Sequence, residues 1–100
     1  MSLLDVNTAA VGGSALVEAV ISGEMAATTA GGAAALVAVA PLAADADSAA
    51  FAAALSAAGG AYLGVAAEHV GQRYAFSGAQ NLAAATYLVG ELASAARLTL

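Results

Sequence analysis

Along residues 48–96 the larger side chains keep a fixed spacing. Phe51, Leu55, Ala58, Tyr62, Val65, His69, Gln72, Phe76, Ala79, Ala83 and Tyr87 follow one another at alternating steps of four and three, with two steps of four at the end. Such a spacing lines one face of a helix and comes close to a heptad seam. Leu63, Val70 and Tyr74 make a second, shorter stripe beside it. A long helix over about 48–96 is therefore expected, and alanine, the strongest helix former, fills most of the rest. A helix with two apolar faces needs more than one neighbour.

The pattern before it is weaker. Asn7 or Thr8 can cap a first helix over about 8–39. Leu16, Val17, Val20, Ile21 and Met25 give apolar pairs at helical spacing, and Leu36, Val37 and Val39 add an apolar end. Gly12, Gly13, Gly23, Gly31 and Gly32 each cost about 1 kcal/mol relative to alanine inside a helix. Two readings of them stay open, a kink or a close helix contact. Between the two segments stands Pro41, which cannot continue a helix and pushes the residue before it toward extended geometry. Asp45, Asp47 and Ser48 follow it and suit a helix start. The turn is expected at about 40–47. The fold class expected is all-α, an antiparallel two-helix hairpin in one domain over 1–100, with a long second helix.

A core built mostly of alanine leaves such a hairpin little margin. A buried Leu or Phe contributes roughly 1.5–3 kcal/mol, whereas ordering one residue costs about 1–2 kcal/mol of backbone entropy. A partner that completes a four-helix bundle is expected. Charge narrows the kind of partner. The net charge is −5, with Arg73 and Arg97 the two cations, so a nucleic acid partner is not expected. Charged residues make up 9% of the chain and hydrophobic ones 62%. The uncharged stretches 25–44 and 48–67 are long enough to span a bilayer, yet alanine and glycine make insertion weak. A membrane-inserted hairpin is kept as a rival. The opening MSLLDVNTAAVGG has no basic run before an apolar one, so a cleavable secretory signal is not expected.

Catalytic chemistry is sparse. His69 is the single histidine, with Glu68 before it and Arg73 one turn on, and no serine or aspartate sits at a helical spacing that would complete a catalytic set. His69 is expected to keep its polar edge outward. The chain has no cysteine and no cluster of metal ligands, and GGSALVEAV lacks the lysine of a phosphate loop. No enzyme activity, cofactor or metal is expected.

One ordered set of residues remains. Met1-Ser2, Pro41, Ala43, Ala44, Asp45, Ser48, Tyr62, Phe76, Tyr87 and Glu91 stand in the order and spacing that resemble the PE domain of mycobacterial type VII (ESX) secretion. The resemblance covers nearly the whole chain. One departure is plain: the Pro-Glu pair that names the family is replaced by Asn7-Thr8-Ala9-Ala10. A sister group of tryptophan-free, secretion-associated hairpins with a similar tyrosine motif stays open beside it.

The resemblance implies a two-helix hairpin that pairs with a PPE-like protein as a heterodimer. A cytosolic chaperone would escort the pair through the PPE-like partner, and the folded pair would leave by the ESX secretion machinery for the medium or the cell surface. It also implies that Tyr87 and Glu91, in YLVGE, form a C-terminal Tyr-x-x-x-Glu export signal. Phe51, Leu55, Tyr62, Leu63, Val65, Val70, Tyr74 and Phe76 are the residues expected at the partner interface. A homodimer is the expected alternative for the chain expressed alone, either within the secretion-associated sister group or as a cytosolic structural dimer.

Overall fold

A computed structural model describes residues 4–99, so Met1-Ser2 of the resemblance lie outside the described residues. Two helices make up the fold, α1 over Thr8–Val37 and α2 over Ala46–Leu98. Asn7 caps α1: its Oδ1 accepts the Ala10 N–H at 3.0 Å. Asp45 caps α2, with Oδ1 accepting the Ser48 N–H at 2.7 Å and Oδ2 accepting the Ser48 hydroxyl at 3.1 Å. These bonds satisfy amide groups that a helix start leaves unpaired. They also hold the Asp45 carboxyl below the usual aspartate range, the Ser48 amide bond first among the causes.

The expected boundaries hold to within two residues. α1 stops at Val37 because the Val39 N–H leaves the helical pattern and donates to Ser56 Oγ at 3.1 Å. Pro41 then blocks any return to helix. α2 begins before Ser48 because the cap is Asp45. The described residues contain no left-handed backbone, so the glycines of α1 sit in an unbroken helix.

The helices pack against each other in two units. One unit holds the chain up to Ile21 with the chain from Arg73 onward, and the other holds Ser22–Gln72. The inward face of α2 in the second unit runs Ala52, Ser56, Gly59, Leu63, Ala66 and Val70, and in the first unit Arg73, Ser77, Gln80 and Ala84. Its steps are again four and three. On α1 the matching positions are Thr8, Val11, Ala15 and Glu18, then Ser22, Met25, Thr29, Gly32 and Leu36.

Small residues dominate this contact. Among the described residues Ala15 and Ala52 are the buried apolar side chains and Ser22 and Ser77 the buried polar ones. Ser22 is the largest side chain that is fully buried. At Gly59 the approach is close, since a Cβ built there would collide with the Leu36 carbonyl. A glycine inside a helix costs about 1 kcal/mol against alanine, and here it lets the two backbones meet. By length and composition both helices could cross a bilayer.

Candidate functional site

Five large residues of the sequence stripe each stand one position before an inward residue. Phe51 precedes Ala52, Leu55 precedes Ser56, Tyr62 precedes Leu63, Val65 precedes Ala66 and Phe76 precedes Ser77. One residue turns a helix by about 100°, so the stripe lies on the flank of the inward face. Phe51 is 61% exposed, Tyr62 59% and Phe76 54%, and Leu55 and Val65 are exposed as well. Tyr74, on the opposite flank, is also exposed. Leu63 and Val70 differ from these because they occupy the inward face and are half-buried against α1. The residues expected at a partner interface thus divide into an exposed set and two that also serve the hairpin.

At the corner the flank opens into a cavity of about 180 Å³, lined by Val39, Ala40, Leu42, Ser48 and Phe51 among others. Leu42, next to Pro41, is 95% exposed. A second apolar hollow, about 390 Å³, lies along the other flank in the same unit. Ala26, Ala30 and Ala33 of α1 and Ala67 of α2 line it, with Leu63 and Val70 at its floor.

In the unit that holds the chain ends, polar contacts join the helices. Ser77 Oγ donates to the Ala15 carbonyl at 2.7 Å, Gln80 Nε2 donates to Ser14 Oγ at 3.0 Å, and Arg73 Nη2 meets Glu18 Oε2 at 2.9 Å. These pairs fix the level of α1 against α2. From Ala85 onward every described residue of α2 is exposed. Tyr87, 46% exposed, and Glu91 stand in this overhang. They continue the inward spacing, Ala84, Tyr87, Glu91, past the point where α1 can cover it. A face that α1 occupies lower down is here turned to solvent, one helical turn separating a phenol from a carboxylate.

His69, expected to pack at a seam position with its polar edge outward, is instead exposed on the flank of α2. Among the described residues no three His, Asp or Glu side chains come together as a metal site. The small-residue hollow was not among the positions singled out in the sequence. Its signal was present as Ala26, Ala30 and Ala33 at steps of four and three, but alanine is too common in this chain for that spacing to stand out. Comparison with known proteins finds no matching family model, no matching curated protein and no matching solved structure.

Proposed function

We propose that this chain is a non-catalytic type VII (ESX) secretion substrate of the PE kind, which pairs with a PPE-like helical partner and carries its export signal at Tyr87 and Glu91. The observation that carries the proposal is the exposed flank of α2, with Phe51, Leu55, Tyr62 and Val65 in one unit and Phe76 in the other. Large apolar side chains in a register of threes and fours suit a helical partner, which would complete a four-helix bundle.

The area supports the same reading. A compact monomer of this mass exposes about 5,000 Å². This chain exposes 7132 Å². The excess, about 2,100 Å², is what one partner gives up in an obligate interface of roughly 4,000 Å². The overhang supports the handle, because Tyr87 and Glu91 are exposed there on one helix face. Insertion into a membrane fits less well. Glu18 and Glu24 lie within about a turn of the midpoint of α1, where charges cost roughly 2.5–3.5 kcal/mol each. The chain would fold in the cytosol, leave with its partner and act outside the cell.

Co-expression with a PPE-like protein from an ESX-bearing host tests the pairing, and secretion of Tyr87→Ala and Glu91→Ala chains tests the handle. A stable 1:1 complex and loss of both variants from the medium are expected. No complex, or normal secretion of both variants, overturns the respective half of the proposal.

A further inference from the structure

The two flanks of α2 differ in size as if made for each other. Before each inward residue of Ser22–Gln72 stands a position of the flank that carries Phe51, Leu55, Tyr62 and Val65. After each inward residue stands a small one: Ala53, Ala57, Gly60, Gly64, Ala67 and Gly71. A Cβ added at Gly60, Gly64 or Gly71 would meet nothing within 4 Å, so these glycines serve no contact inside the hairpin. Each nevertheless lowers helix stability by about 1 kcal/mol against alanine. Of this small flank Ala67 lines the hollow of about 390 Å³, whose α1 wall is Ala26, Thr29, Ala30 and Ala33.

We infer that this hollow is a docking groove for a second copy of the chain, which inserts the Phe51–Val65 flank of its α2. Three observations favour a second copy over another occupant. The chain itself carries side chains of the complementary size at helical spacing. Neither surface bears a charge between Phe51 and Val65 or along the groove lining, so a chain of net charge −5 can bring them together without focused repulsion. The excess exposed area of about 2,100 Å² is enough for two contacts of standard size, each taking about 800 Å² from one partner. Because flank and groove are different surfaces, the contact is heterologous. A pair of copies keeps one groove and one flank unused, and the assembly grows without closing. A partner that covers the flank stops the growth, while the groove stays free on the resulting complex.

The test mixes two variants of the full chain, with helicity checked by circular dichroism. Tyr62→Ala/Val65→Ala removes the inserting side chains, and Ala30→Leu/Ala67→Leu fills the groove; all four positions are exposed. Sedimentation of the unmodified chain is expected to show mass rising with concentration. Each variant alone is expected to be a monomer, and their mixture a discrete 1:1 dimer of twice the mass. Gly64→Leu, which adds a side chain in open space on the groove side, is expected to lower self-association as well and guards against a misfolded double variant. The proposal is overturned if the unmodified chain stays monomeric. It is equally overturned if the groove-filled chain still pairs with itself, as symmetric flank-to-flank docking would require, or if the mixture stays monomeric.

Discussion

The two units join the same pair of helices by different chemistry. In Ser22–Gln72 the contact is close: Gly59 lies against the Leu36 carbonyl, and Ser56 receives the Val39 amide at the corner. In the unit with the chain ends, Arg73, Ser77 and Gln80 reach across to Glu18, Ala15 and Ser14. That set is not fully matched, since Arg73 Nε and Gln80 Oε1 are buried without a hydrogen-bond partner. Close packing penalises any added atom, whereas polar pairs set the level of one helix against the other and tolerate loss of a member at modest cost. Tightness therefore sits at the corner, and alignment sits toward the ends of the chain.

The largest effect is expected where the backbones touch. Gly59→Val should cost about 3 kcal/mol, because the added atoms meet a carbonyl that cannot yield. Urea unfolding followed by circular dichroism reads it, and a neutral result would mean the helices do not approach there as described. Ser77→Ala comes next, at about 1 kcal/mol for a buried hydrogen bond to a carbonyl that keeps its own helical partner. An equal loss at both sites would erase the contrast between the units.

Smaller still is the Glu18–Arg73 pair. Its side chains are 23% and 30% exposed. Solvent screening holds the expected coupling to about 0.5 kcal/mol in a double-mutant cycle, and it should fall further in high salt. Acid should act locally at the corner. The Asp45 pKa is lowered in the fold, so its contribution is present above the unfolded value and is lost as pH falls through the folded one. Amide signals of the first turn of α2 should shift below about pH 4, and Asp45→Asn, which still caps, should remove that pH response. Least of all, Tyr87→Ala should change the melt by under about 0.5 kcal/mol, because Tyr87 stands exposed in the overhang. A large loss would place Tyr87 in the hairpin and undo its reading as a handle.

Much of the fold was legible. Pro41, with Asp45 and Ser48 after it, marks the corner by rules that need no tertiary context. Alanine propensity and the period of threes and fours give the long second helix. Which face turns inward was not legible in the same way. Size points to Phe51, Tyr62 and Phe76, yet the hairpin closes on Ala52, Gly59 and Ser77. A pair of helices can approach most closely along small residues, and the bulky flank is left over for something else. Leu63 and Val70, noted as a lesser stripe, turn out to mark the inward face. The exposure of Tyr87 and Glu91 depends on where α1 starts relative to α2, a matter of pairing level that Ser77 and Gln80 set and that spacing along one helix cannot reveal.

That Ser22 is the largest side chain fully enclosed has a calorimetric consequence. The heat capacity of unfolding comes mainly from apolar surface returned to water, and methyls and hydroxyls return little. The hairpin should therefore melt with a small heat-capacity change, and its stability should vary only weakly with temperature. The missing heat capacity should instead accompany association, when Phe51, Tyr62 and their neighbours leave the solvent.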